Sequence, residues 1–234
     1  MLHNVRVLTS MTQIKGTTMT IASLAKITTI ANFPKHHMLE NLAVRADGSV
    51  LVTASPQREV WYVPAPSGSL PVEPILLHTF DEGQLAMSFV EAQPDIFYVA
   101  TYGHATLHRF DLRGWTPGAP VNLTKVLDFE PPAGPNGSCL LAPGVMLFAD
   151  TVEGLIWRVD LSGDGFHATA RVWLRHTTMA AGGDDLPPVR FSATQHVPFP
   201  GINGLRYGPK NQLRILHQLG AGAFHARGRR PCHA

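Results

Sequence analysis

The 234-residue chain is 44% hydrophobic and 15% charged, which supplies one sizeable core or two small ones. Its 21 Gly and 19 Pro punctuate it for short strands rather than long helices, and no apolar run reaches the roughly 18 residues of a membrane-spanning helix. The formal charge of +2 hides a division: Arg206, Lys210, Arg214, Arg227, Arg229 and Arg230 follow position 205 without one acid, leaving thirteen basic against seventeen acidic residues before them. No basic stripe with interleaved aromatics is present there, so no nucleic-acid partner is expected.

Residues 1–39 contain no acid and carry Arg6, Lys15, Lys26 and Lys35. Two readings stay open for 1–19: a disordered or alternative-start leader, with Met1, Met11 and Met19 as competing initiators, or a transit peptide. Residues 21–33 then read as an opening strand or short helix. Cys139 and Cys232 form no metal-ligand spacing and no disulfide framework, so a reduced, cytoplasmic setting is expected.

From position 40 onward a plan recurs. In ENLAVRADGSVLVTASPQREVWYVP (40–64), Leu42 and Val44 alternate with polar neighbours, and Asp47-Gly48 signals a hairpin. Strands are predicted at Val50 to Thr53 and Val60 to Val63. Residues 83–111 repeat the plan with Pro94-Asp95 at the turn, and strands at Ile96 to Thr101 and Thr106 to Phe110. Residues 136–160, NGSCLLAPGVMLFADTVEGLIWRVD, give the cleanest copy, turning at Pro143-Gly144 and again between Asp150 and Gly154. Trp61-Tyr62-Val63, His108-Arg109-Phe110 and Trp157-Arg158-Val159 occupy the third predicted strand each time. Residues 121–129 and 168–176 read as the outermost strands of the second and third units.

A fourth copy opens at Ile202 as INGLRYGPKNQL and lapses after Gln212. Its distance from the third is enlarged by a loop around residues 179–188. Four-stranded units recurring about every 40–50 residues are the signature of β-propeller blades. The fold class is therefore all-β, a β-propeller of six-bladed type, with about three and a half blades encoded here. A β-sandwich with coincidental hairpins is the rival. The organisation reads as a leader (1–19), a partial propeller (20–212) and a basic tail (213–234). Two accounts of the tail stay open, a shifted reading frame near codons 205–220 and a natural divergent end.

LENLAVRADGSVLVT, PNGSCLL with FADTVEGLIWRVD, and PGINGLRY resemble the six-bladed propellers of the gluconolactonase and senescence-marker-protein-like superfamily. More narrowly, they are similar to a fungal branch of secondary-metabolite enzymes that includes the hetero-Diels–Alderases of tropolone–sesquiterpenoid biosynthesis. The resemblance covers about residues 20–212. It implies a central channel in which Glu40, Asn136 and Asn203 are the catalytic candidates, with small apolar molecules as substrates and no cofactor. The alternative it implies is a lactonase or esterase in which Glu40 and Asn203 hold Ca²⁺ or Mg²⁺. A third possibility is a truncated, inactive propeller, since an unclosed ring leaves apolar faces and strand edges open to association.

The same residues have plainer readings. Glu40 could cap backbone amides at the start of its strand, and Asn136-Gly137 and Asn203-Gly204 could be turns with positive φ. His104, His108 and the pair His36-His37 are expected at the surface or in loops. Asp150 is expected to cap a loop. Asn122-Leu-Thr124 and Asn136-Gly-Ser138 match glycosylation sequons by chance. Neither a nucleophile elbow nor a phosphate-binding Gly loop occurs.

Overall fold

The structure, a computed structural model, describes the backbone of residues 3–8, 27–181, 189–190, 196–197, 201–208 and 212–217, with side chains over 27–181 and 201–208. Strand β1 (His3–Leu8) pairs antiparallel with β2 (Ile27–Phe33). Blade one follows as β3 (Leu39–Val44), β4 (Val50–Ala54), β5 (Glu59–Val63) and β6 (Ile75–Thr79). Blade two is β7 (Gln84–Gln93), β8 (Ile96–Gly103), β9 (Thr106–Asp111) and β10 (Asn122–Asp128). Blade three is β11 (Pro135–Ala142), β12 (Val145–Asp150), β13 (Leu155–Leu161) and β14 (Ala168–Arg175). A small hairpin, β15 (Val189–Arg190) with β16 (His196–Val197), precedes a last one, β17 (Ile202–Gly208) with β18 (Gln212–His217).

Each blade is a four-stranded sheet in simple sequence order. Strands that pair only with sequence neighbours, in separate sheets, exclude the sandwich, whose two sheets exchange strands by Greek-key connections. The expected turns form as the residues dictate. Gly48 takes φ 84° and donates its N–H to the Arg45 carbonyl at 2.9 Å, while the Asp47 carboxylate accepts the Ser49 N–H at 2.9 Å. Asp95, at φ 61°, and Gly144, at φ 72°, turn the equivalent corners of blades two and three.

The sheets pack face to face through alternating side chains. Leu51, Tyr62, Phe89, Phe97, Val99 and Phe110 fill the space between blades one and two. Tyr98, Leu107, Met146, Phe148 and Val159 fill that between blades two and three. Leu147, Ile156, Ile202 and Leu205 join blade three to β17, and Ile30, Phe33, Val50, Val52 and Val63 join β2 to blade one. Each such buried side chain is worth about 1.5–3 kcal/mol, so every interface is a separate cohesive layer.

One position repeats with different residues. Trp61, His108 and Trp157 stand third in the third strand of each blade, opposite Val52, Val99 and Phe148. Each ring meets a phenylalanine that closes the fourth strand of the preceding sheet: Phe33 at 5.8 Å from Trp61, Phe80 at 4.9 Å from His108, Phe129 at 6.0 Å from Trp157. β2 is therefore itself a fourth-position strand, and β1, paired to it, a third-position one.

The sequence pattern lapses after Gln212, yet β18 continues to His217 and pairs with β17 from Gly208↔Gln212 to Ile202↔His217. Ladder pairing needs extended backbone and register, not a blade signature. Residues 1–2, 9–26 and 218–234, which hold most of the leader and tail, lie outside the described residues, although β1 falls within 1–19.

Candidate functional site

The innermost strands break register at one level. The ladder shifts between Leu39 and Leu42 in β3, between Ala86 and Ser88 in β7, between Pro135 and Ser138 in β11, and between Ile202 and Gly204 in β17. Counting two residues back from Leu42, Phe89 and Ser138, which face Val52, Val99 and Phe148, gives Glu40, Met87 and Asn136. The Asn-Gly pair of β17 puts Asn203 at the fourth such place. A bulge leaves its extra residue unpaired and re-aims it. Glu40, Asn136 and Asn203 are thus one repeated position, not three scattered residues, and Met87 is its fourth member.

Asn136 is 5% exposed, and its Oδ1 has no hydrogen-bond partner among the described residues. Such an orphan costs about 1–3 kcal/mol unless something else satisfies it. It is held by close strand approach: a Cβ on Gly137 would overlap the Asn203 carbonyl oxygen and the Gly204 Cα. Glycine there lets β11 and β17 touch and brings Asn136 and Asn203 onto adjoining strands. Next door, Ser88 has a buried hydroxyl also lacking a partner among the described residues.

Glu40 is half-buried, and desolvation pushes its carboxyl above the usual carboxylate range. It belongs to β3, with β7 between it and β11. Met87 fills the intervening place. Its carbonyl accepts the Thr53 hydroxyl at 2.8 Å and its thioether lies 3.1 Å from Ser55 Oγ. Met87 escapes a search for polar chemistry; only the register of the bulges finds it.

Neither asparagine has positive φ; among the described residues only His36, Arg58 and Asp95 do so without being glycine. The turn reading of the Asn-Gly pairs is therefore corrected: both lie inside strands. The burial of Asn136 removes it as a glycosylation acceptor, whereas Asn122 is exposed. Asp150 caps its loop, accepting the N–H groups of Gly134, Val152 and Glu153 at 2.9–3.0 Å and the Trp157 indole N–H at 2.7 Å.

Two histidines differ from expectation. His104 is exposed, but His108 is buried, its Nε2 2.8 Å from Thr106 Oγ1. Burial, reinforced by nearby His78 and Lys125, lowers its pKa to about 4. The loop and the core thus separate the two, and they share no metal. His36 is exposed while His37 is half-buried, its Nε2 2.9 Å from Glu59 Oε2, which also accepts the Trp61 indole N–H at 2.8 Å. An aromatic ring walls each one, Trp61 for His37 and Phe80 for His108, and this draws the histidine inward.

For a hard divalent cation the position supplies one carboxylate and two amides, broken by a thioether. Ca²⁺ and Mg²⁺ take oxygen donors in sixes or more. No cluster of three or more His, Cys, Asp or Glu occurs among the described residues. The donor set fits such a cation poorly.

The chain matches no family model and no curated protein sequence. Solved structures do match. A chain of a nidogen/laminin complex aligns over 82% of this chain and 60% of its own length, with a TM-score of 0.55 and 14% identity. Virginiamycin B lyase from Staphylococcus aureus aligns over 82% and 68%, with a TM-score of 0.47 and 11% identity. YCF48 from Cyanidioschyzon merolae aligns over 76% and 48%, with a TM-score of 0.48 and 10% identity. The protein spans less than two thirds of the nidogen/laminin and YCF48 chains. With the blade order and the repeated bulge, the first of these likenesses makes the protein a β-propeller. No helix among the described residues is long and apolar enough to cross a membrane.

Proposed function

We propose that the bulge positions form a small-molecule site that orients two apolar partners for an intermolecular hetero-Diels–Alder reaction, as the resemblance to fungal tropolone–sesquiterpenoid enzymes implies. The partners would be a tropolone-derived o-quinone methide and a terpene alkene. The observation that carries this reading is Asn136, buried beside Asn203 with its Oδ1 unpartnered among the described residues. In the reaction one C–C and one C–O bond form together, with no nucleophile and no net proton transfer. The protein's task is to hold the partners in reactive orientation, which can supply several kcal/mol of the barrier, and to donate hydrogen bonds to the heterodiene oxygen.

Asn136 and Asn203 offer amide donors. Glu40, whose carboxyl burial pushes above the usual carboxylate range, offers an O–H donor when protonated. Met87 contributes an adaptable apolar surface. The donor set, one carboxylate and two amides broken by the Met87 thioether, favours this reading over the Ca²⁺- or Mg²⁺-dependent hydrolase, where Glu40 would act as an ionised ligand alongside Asn203.

The test is product formation from an o-quinone methide generated in solution with an alkene, compared with the uncatalysed background. Asn136→Ala is expected to lower the acceleration about 10-fold, the loss of one hydrogen bond of about 1.4 kcal/mol. Because Glu40 donates only when protonated, the rate should fall as pH rises through its elevated pKa. Glu40→Gln, a permanent donor, should abolish that fall. Chelator-sensitive lactone hydrolysis with no cycloaddition would overturn the proposal in favour of the hydrolase.

A further inference from the structure

Every blade has one face toward the blade before it and one toward the blade after. At the first strand, the residues facing backward are Leu42 and Val44 in blade one, Phe89 in blade two, and Ser138 and Leu140 in blade three, as their common register with the second strands establishes. Phe89 is 7% and Ser138 6% exposed, whereas Leu42 is 51% and Val44 59% exposed. The second and third strands of blade one are covered on that face: β2 packs on Val50, Val52 and Val63. The uncovered first strand is the one that the innermost strands of a preceding blade would cover.

The chain carries such a pair elsewhere. β17 and β18 are first- and second-position strands, packed on blade three through Ile202 and Leu205. β1 and β2 are third- and fourth-position strands. Among the described residues the two hairpins stay in separate sheets, β18 pairing with β17 alone and β1 with β2 alone. Among the described residues each hairpin supplies half of a blade, and the two supply complementary strand positions.

We propose that two copies of this chain join head to tail, the β17–β18 hairpin of each adding to β1–β2 of the other to complete a four-stranded blade over Leu42 and Val44. Both joints are formed at once by a twofold axis, so the assembly closes instead of growing. The three complete blades described in each copy and two shared ones make a ring of about eight, the upper end of the usual propeller range. Pairing β18 with β1 satisfies two strand edges that would otherwise recruit other chains. Arg206 of β17, exposed at the place where Val90 and Cys139 face the next blade, would lay its aliphatic stem on the Leu42–Val44 patch. A second copy is the occupant that brings the right strands in the right order.

Native mass spectrometry and light scattering of the purified 234-residue chain test this. A mass of twice 25.5 kDa at micromolar concentration is expected. The double variant Leu42→Lys, Val44→Lys alters residues exposed in the single chain, so its fold should persist by circular dichroism. Opposed to Arg206, it should weaken dimerisation at least 100-fold. Trp173→Lys, at an exposed apolar site on blade three, should leave the dimer intact. A monomeric wild-type chain, an open-ended ladder of oligomers, or a dimer lost with Trp173→Lys but kept with the double variant would each overturn the proposal. A monomer would point to closure within one chain or by a different partner.

Discussion

At the third place of the third strand, blade three carries Trp157 and blade two carries His108, each against a phenylalanine from the sheet before. Trp157 donates to a buried carboxylate that also gathers three backbone N–H groups. His108 meets a neutral hydroxyl chain, Thr106 Oγ1 with Thr101 Oγ1 at 2.6 Å and Gln84 Nε2 at 3.0 Å. The same backbone place is thus anchored by a charge in one blade and by a charge-free network in the other. The packing pattern fixes where a ring goes, while the type of ring decides its polar partner.

Removing Asp150 should break the comparison most severely. Asp150→Ala leaves four donors stranded and should destabilise the protein by roughly 3–5 kcal/mol, lowering Tm by about 10 °C or more. Asp150→Asn should recover little, because its amide group would oppose the N–H groups of Gly134 and Trp157. A melting curve within about 2 °C of wild type for Asp150→Ala would refute this account of blade three.

The next effect belongs to blade two. His108 has a pKa near 4 in the fold against about 6.5 unfolded. The unfolded chain therefore binds the extra proton first. The stabilising preference for neutral His108 is fully present above about pH 6.5 and is lost as pH falls toward 4, a loss of about 3 kcal/mol. The groups that bear on it are His78, which is itself held low by burial, Lys125, Asp128 and Asp81. His108→Gln should flatten the slope of stability over that window, measured by urea titration at several pH values. An unchanged slope would assign the acid response to another group.

Trp61→Phe should sharpen the comparison with the smallest effect, about 1 kcal/mol. Glu59 is partly solvated and keeps His37 as a second partner, so losing the indole donor strands little. A cost equal to that of Trp157→Phe would mean that burial of the carboxylate does not set the difference.

Much of this arrangement was legible in the sequence. Asp47-Gly48, Pro94-Asp95 and Pro143-Gly144 carry turn chemistry in their side chains and ring constraints, and the third-strand motifs repeat at matching intervals. Asn136 and Asn203 stood out because the Asn-Gly pair recurs. Met87 did not, since a methionine among apolar neighbours carries no polar signal and only the ladder shift marks it. His108 read as a surface residue because one histidine between Leu107 and Arg109 gives no sign of Phe80, which arrives from another blade. The β18 strand was missed because pairing depends on a partner's register. The leader and tail, with no blade pattern, offered no comparable handle.

The ladder shift in each innermost strand has a consequence for how such a protein changes over time. The residue at the shift takes no part in strand pairing, so exchanging it leaves the ladder hydrogen bonds of its own sheet in place. Glu40, Met87, Asn136 and Asn203 behave as a four-letter word written on a fixed page. Randomising those four codons together should yield variants whose ligand preferences diverge widely while their melting temperatures cluster. A library in which stability scatters as broadly as binding would show that the word and the page are not separable.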